Sequence, residues 1–189
     1  GYTVGVVANA DGAALCGNCA KKAARFISIM DAFNIPVITI TDTADLDTDT
    51  CLCVSNSIAK LMQAYASATV PMINVIVGKA VSTGLAAMCS KAMGADMVYA
   101  WANATISAMP VEAGAFIVYE KEINEGLSKE EAFAKYEEEY ANAFEAAKQG
   151  VVDDVIAPSA TRQMLCAAIE ACIVKKEAPI AKKHGIMPL

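Results

Sequence analysis

The sequence contains a single histidine, His184, among its 189 residues. This histidine lies in a basic tail, which is a poor setting for a general base. Catalysis by a serine–histidine pair or at a histidine-ligated metal is therefore excluded. The chemistry has to come from backbone donors, from other side chains or from a cofactor.

Charged residues and long apolar runs are also scarce. Charged residues make up 19% of the chain, with a net charge of −6, and this acidic balance argues against a nucleic-acid partner. No apolar run reaches the length of a membrane span, so we expect no direct membrane insertion. No secretory segment is visible, and seven cysteines form no secreted-domain pattern. We expect a cytoplasmic protein.

Apolar residues are abundant instead. They make up 56% of the sequence although aromatic residues are only 6%, so the excess is mostly alanine, valine, isoleucine and methionine. This composition favours an α/β domain with buried strands and small residues between helices. The apolar content also exceeds what the core of one domain of this size needs, so we expect a homo-oligomer.

Strand and helix patterns alternate along the chain. The predicted strands cover residues 3–8, 37–41, 72–77, 97–101, 104–108 and 153–156, and the predicted helices cover 19–33, 55–66, 85–93, 110–122, 128–149 and 159–174. Residues 42–49 and 78–84 are predicted loops. The alternation predicts one α/β domain with largely parallel strands.

Several motifs together carry a family resemblance. The sequence GVVDDVIAPSATR fills residues 150–162, and further blocks are KAARFI at 22–27, DAFNIP at 31–36, ATVP at 68–71, VIVGKA at 75–80, GAD at 94–96, YAW at 99–101 and KKHG at 182–185. In this order they resemble biotin-dependent carboxyltransferases, the acyl-CoA carboxylase and decarboxylase subunits of the crotonase superfamily.

The resemblance implies a crotonase-like ββα spiral and a carboxyl transfer between carboxybiotin and an acyl-CoA. Family members contain two related domains, and residues 1–189 resemble only the C-terminal, biotin-side one. We therefore expect the acyl-CoA domain to be absent here, either because it is on another chain or because it was cut away, so this chain would be incomplete alone. The first residue is Gly1 rather than methionine, which we expect of an excised or tagged sequence. The implied cofactor is biotin on a biotin carboxyl carrier protein. The second implied partner is an acyl-CoA-binding carboxyltransferase domain.

The resemblance also implies a site at residues 80–85, between a strand and a helix. The backbone N–H groups of Thr83 and Gly84 would form an oxyanion hole for the biotin ureido oxygen. The resemblance further implies four residues that would bind biotin: Val81, Ser82, Leu85 and Asp42. The family has an aromatic residue and a glycine where this chain has Val81 and Ser82, and a glycine or a serine at position 83.

These departures leave alternatives open. Ser82 and Thr83 could instead cap the following helix. The domain could then be a non-catalytic assembly module on the same fold. A stand-alone crotonase-type acyl-CoA enzyme is a third possibility, although the loops offer no candidate coenzyme A site.

The cysteines suggest a second kind of site. Cys16 and Cys19 form a CxxC motif, and Cys51 and Cys53 form a CxC motif. Four such thiols could bind zinc or act in redox chemistry, but CxC is not the usual zinc spacing. The remaining cysteines lie on apolar helix faces and are predicted to be buried: Cys89, Cys166 and Cys172.

Two acidic positions are weighed as structural. Glu112 follows a proline at a predicted helix start, where a solvated first-turn acid is more common than a catalytic one. Asp153 and Asp154 are expected to cap a neighbouring helix or to pair with Arg162. Neither position is assigned to the chemistry.

Overall fold

The computed structural model describes residues 1–9, 12–45 and 54–178. Its centre is a parallel sheet in the order β1-β2-β3-β4-β6, with β5 paired to β3 off this path. The strands are β1 (Gly5–Ala8), β2 (Val37–Thr43), β3 (Met72–Val81), β4 (Met97–Trp101), β5 (Thr105–Ser107) and β6 (Asp154–Ile156). The α/β class predicted from the alternating pattern is confirmed.

Eight α-helices connect or cover these strands in the described residues. They are α1 (Gly17–Ala32), α2 (Val54–Ser67), α3 (Ser82–Ala87), α4 (Val111–Val118), α5 (Glu120–Asn124), α6 (Lys129–Glu139), α7 (Ala143–Lys148) and α8 (Thr161–Cys172). Two short 3-10 turns lie at Lys91–Met93 and Pro158–Ala160. Within the described ranges, no helix is both long and apolar enough to cross a membrane.

The sheet is covered on both faces, because side chains alternate along each strand. Val37 and Ile76 belong to the main core, which contains the buried faces of α1 and α2. Ile38 and Ile73 belong to a second cluster that includes Ile169 of α8. Parallel strands buried on both faces explain why the predicted strands are nearly continuous apolar runs.

Strand β3 is longer than predicted, and this extension positions the candidate site. Residues 78–84 were predicted to be a loop, but Lys79, Ala80 and Val81 pair in parallel with β5. The predicted helix over 85–93 is also wrong in extent, because α3 begins at Ser82 and ends at Ala87. Cys89 then has φ 51°, which no right-handed helix accommodates.

The predicted helix over 128–149 is two helices. Its start is confirmed, because Ser128 and Glu131 form a capping box. The break follows Tyr140, where Asn142 starts α7 by accepting a hydrogen bond from Glu145 N at 2.8 Å. An asparagine three residues before a glutamate is itself a helix-start signal, so the sequence contained this information.

Candidate functional site

The candidate site is the sharp junction at which β3 ends and α3 begins. Val81 is still extended, with φ −123° and ψ 140°, and it occupies the N-cap position. Ser82 then takes a left-handed conformation, with φ 54°. The family residue here is a glycine by the resemblance described above, and glycine adopts this conformation without strain. The unusual conformation falls on Ser82 and not on the β-branched Thr83.

The first turn of α3 carries Thr83 and Gly84. Backbone N–H groups in a first helical turn have no acceptor within their own helix. The N-cap side chain is that of Val81, which makes no capping hydrogen bond. The alternative in which Ser82 and Thr83 cap this helix is not supported, because the N-cap position falls on Val81.

Gly84 is required for the position of α3. A Cβ at this residue would lie 2.7 Å from Cγ2 of Thr43, at the end of β2. Thr43 is fully buried, and its hydroxyl donates to Ala13 O at 2.9 Å. The helix start therefore approaches β2 more closely than any other residue would permit.

The end of α3 is held by a buried hydrogen-bond network. The Asn74 side-chain amide donates to Met88 O at 2.8 Å, and Thr41 donates to Asn74 Oδ1 at 2.8 Å. Asn74 is 1% exposed and Thr41 is fully buried. The sequence interpretation missed these two residues, although polar side chains within the apolar runs ITIT and MINVIV were a visible signal.

Asp42 supports the adjacent strand ends. It lies in β2, not in the predicted loop, and its Oδ1 accepts a hydrogen bond from Lys79 N at 2.8 Å. Asn9 also binds the Asp42 backbone, by donating to its carbonyl at 2.5 Å and accepting from its N–H at 3.0 Å. Gly78 leaves the space that the carboxylate fills. Asp42 thus fixes the path of β3 toward the junction.

A cleft of about 280 Å³ opens beside Val81. It is lined by residues of β3, β5, α4 and α6 together with the end of the β2 segment: Ala44, Asp45, Lys79, Val81, Thr105, Pro110, Val111, Glu112, Phe133 and Glu137. Val81 itself is buried, whereas Ser82 and Leu85 are half-buried. Two larger grooves, of about 720 and 930 Å³, lie elsewhere and include none of the residues 81–85.

The charged residues of this cleft are Lys79 and three carboxylates. Glu137 accepts a hydrogen bond from the Thr105 hydroxyl at 2.8 Å. Glu112 is exposed in the first turn of α4, as expected for a solvated first-turn acid. The single histidine, His184, lies outside the described residues. Besides the hydroxyls of Ser82 and Thr83, the junction offers the backbone N–H groups of the first helical turn as donors.

The cysteine predictions have mixed outcomes. Cys89 is fully buried as expected, and burial raises the pKa of its thiol to about 12. Cys166 was predicted to be buried but is exposed, and Cys172 is half-buried, because Ala168 and Ile169 form the inner face of α8. No group of three or more potential metal ligands occurs in the described ranges. Cys51 and Cys53 lie outside those ranges.

The structural interpretation of Asp153 is confirmed, with a different partner. Its carboxylate accepts from Val98 N at 2.7 Å and pairs with Lys91 Nζ at 2.7 Å. Asp153 therefore ties β4 to the segment that precedes it rather than pairing with Arg162. Asp154 begins β6 and is exposed.

Comparison with known proteins agrees with the resemblance seen in the sequence. The chain is 38% identical to the methylmalonyl-CoA carboxyltransferase 12S subunit of Propionibacterium freudenreichii subsp. shermanii and covers 38% of that protein. It is 37% identical to the methylmalonyl-CoA decarboxylase subunit alpha of Propionigenium modestum and covers 38% of it. In both matches all of this chain is aligned, so it spans less than two fifths of its relatives.

Solved structures give the same assignment. The transcarboxylase 12S crystal structure with methylmalonyl-coenzyme A and methylmalonic acid bound matches 98% of this chain, and 38% of that chain, with a TM-score of 0.90 and 35% identity. The beta subunit of Pseudomonas aeruginosa geranyl-CoA carboxylase shares the fold, with a TM-score of 0.75 and 20% identity. This match covers 95% of this chain and 37% of that one. The predicted crotonase-like fold is confirmed.

A family model described as the carboxyl transferase domain matches residues 1–187. This match covers nearly the whole chain, and it agrees with the relatives, with the solved structures and with the motifs quoted above. The protein belongs to the carboxyl transferase domain family.

Proposed function

We propose that this chain is the C-terminal, biotin-side domain of an acyl-CoA carboxyltransferase, and that the acyl-CoA binds to a separate domain. Family membership over residues 1–187 supports the reaction class. The names of the relatives point to methylmalonyl-CoA and propionyl-CoA as the first substrates to test. The chain covers only 38% and 37% of those two relatives, which agrees with one of two domains.

The junction of β3 and α3 is the observation that carries this proposal. Biotin on a carrier protein supplies an exchangeable carboxyl group. Preorganised N–H donors at this junction would hold the ureido oxygen of biotin and stabilise negative charge on it. The N–H groups of Thr83 and Gly84 have no acceptor in α3, and the N-cap offers none. We assign these two N–H groups as the oxyanion hole.

The neighbouring residues would position this hole. Ser82 turns the chain so that the helix starts immediately after the strand, and Val81 and Leu85 place apolar surface on either side of the donors. Asp42 would contribute through Lys79 N, because its carboxylate is engaged there and aligns the end of β3. No side chain of this set has to transfer a proton in the carboxyl-transfer step.

The surface of α4 supports a partner domain. Three consecutive apolar side chains of this helix are exposed: Phe116 by 42%, Ile117 by 69% and Val118 by 46%. Exposed apolar side chains on a helix that also lines the cleft are compatible with a surface covered in an assembly. The related transcarboxylase 12S is described as a hexamer. We propose a homo-oligomer in the cytoplasm, in which the acyl-CoA domain and the biotin carboxyl carrier protein meet at this cleft.

Reconstitution tests the proposal. This chain, the acyl-CoA domain of a relative, and both together are assayed for carboxyl transfer from methylmalonyl-CoA to biotin on a carrier protein. We expect transfer only in the mixture, because each domain supplies half of the site. Transfer by this chain alone would instead support a stand-alone enzyme. A complex that forms without any transfer would support an assembly module.

A further inference from the structure

The function proposed above does not use the CxxC motif at the start of α1. Cys16 is the N-cap residue of this helix, and its sulfur accepts a hydrogen bond from Cys19 N at 3.2 Å. The two sulfur atoms lie 2.7 Å apart. A disulfide bond is about 2.05 Å long, so a small side-chain movement joins the two sulfur atoms.

The surroundings of Cys19, whose sulfur contacts that of Cys16, suit the binding of a small anionic molecule. Cys19 is exposed and lines a groove of about 720 Å³ beside the edge strand β1. The charged side chains that line this groove are Lys21, Lys22 and Arg25, and Phe26 adds apolar surface. Cationic side chains attract carboxylates.

The two thiols have different surroundings. The pKa of Cys19 is raised, first because its thiol shares a hydrogen bond with Cys16 and then because of burial. Cys16 lies at the helix N-terminus, where a thiolate is stabilised by backbone N–H groups. On the ground of this N-cap position, we assign the first attack to Cys16.

We propose that Cys16 and Cys19 form a reversible dithiol–disulfide pair that exchanges with glutathione-like anionic disulfides in the groove. The Cys16 thiolate attacks one sulfur of the small disulfide, whose S–S bond breaks, and the first small thiol leaves with the proton that Cys16 lost. Cys19 then loses its proton and attacks the Cys16 sulfur, and the second small thiol leaves with that proton. The protein loses two electrons, and the small disulfide gains them.

Thiol trapping tests this site without any assay of activity. The full chain is equilibrated in glutathione buffers of increasing oxidised fraction and quenched with acid, and its remaining thiols are alkylated before peptide mapping. We expect Cys16 and Cys19 to lose alkylation together, as an internal disulfide without bound glutathione. Exposed Cys166 provides the comparison, and Cys166→Ser should leave this transition unchanged.

Two variants identify the order of attack. Cys19→Ser should accumulate one glutathione on Cys16, because the resolving thiol is gone, and Cys16→Ser should slow the reaction of Cys19. The proposal is overturned if Cys16 and Cys19 remain alkylated to the same extent as Cys166 in the most oxidising buffer. It is equally overturned if either cysteine pairs instead with Cys51 or Cys53.

Discussion

Replacing Gly84 with alanine tests how α3 is positioned. The added Cβ would lie 2.7 Å from Cγ2 of Thr43, whereas carbon atoms in contact prefer about 3.5–4.0 Å. The Thr43 side chain cannot rotate away freely, because it is fully buried and its hydroxyl donates a hydrogen bond to Ala13 O. The helix start therefore has to move away from β2.

The expected magnitude follows from two opposing effects. Overpacking of a buried site costs about 1–3 kcal/mol, and alanine regains up to about 1 kcal/mol of helix propensity over glycine. We expect Gly84→Ala to lower the free energy of unfolding by about 1–2 kcal/mol. Thr43→Ser removes only the clashing methyl, and Thr43 Oγ1 and Cβ remain at 3.4 and 3.6 Å from the new Cβ. Gly84→Ala should therefore cost almost nothing in the Thr43→Ser background.

A double-mutant cycle measures this coupling. The wild type, both single variants and the double variant are unfolded in urea and followed by circular dichroism, with Thr43→Ser alone expected to cost about 0.8 kcal/mol for its buried methyl. Equal stability of Gly84→Ala and the wild type would refute the argument. So would the same destabilisation in both backgrounds.

Three further variants test the surroundings of the junction. Ser82→Gly should raise the free energy of unfolding in urea by up to about 1 kcal/mol, because φ 54° is strained for serine. The matched control Ser82→Ala should not raise it. A glycine variant that is less stable than the wild type would contradict this prediction. Asn74→Leu should lower that free energy by about 1–3 kcal/mol, because Met88 O keeps only the Thr41 hydroxyl, at 3.5 Å, as a donor and this hydroxyl loses its shorter bond to Asn74. A loss below about 1 kcal/mol would show that the network is not needed. Burial raises the pKa of Cys89 from 9.0 to about 12. Between these pH values the folded chain keeps a proton on the thiol that the unfolded chain releases. The free energy of unfolding should therefore fall with rising pH, by up to about 1.4 kcal/mol per pH unit. Cys89→Ala should reduce this slope between pH 9 and 12 but not abolish it, because burial also raises the pKa of Tyr65. An unchanged slope would show that the Cys89 thiol does not contribute to the pH dependence.

Much of the fold could be predicted from the sequence, because burial on both sheet faces produces continuous apolar strands. β2 and β4 were predicted at nearly their observed positions for this reason. The extension of β3 to Val81 could not be predicted, because Gly78 and Lys79 have low strand propensity and their pairing depends on β5 and on Asp42. Tertiary contacts decided that segment.

The candidate site was located from the sequence by family resemblance, not by local pattern. No local rule shows that position 82 adopts a left-handed conformation, because serine gives no signal of the kind that glycine gives. The close approach of Gly84 to Thr43 joins residues 41 positions apart, and local patterns do not report such distances. Cys166 shows the same limit, since an apolar neighbourhood did not reveal which face of α8 packs inward.

The most direct test of the central claim compares two substitutions of Thr83 in the reconstituted transfer assay. Thr83→Pro removes the backbone N–H, and proline is tolerated in a first helical turn, whereas Thr83→Ala removes only the side chain. Loss of one oxyanion-hole donor costs roughly 3 kcal/mol, so transfer should fall about a hundredfold or more in Thr83→Pro. Thr83→Ala should retain the wild-type rate, and both variants should keep the wild-type circular dichroism. An unchanged rate in a folded Thr83→Pro variant would contradict the account.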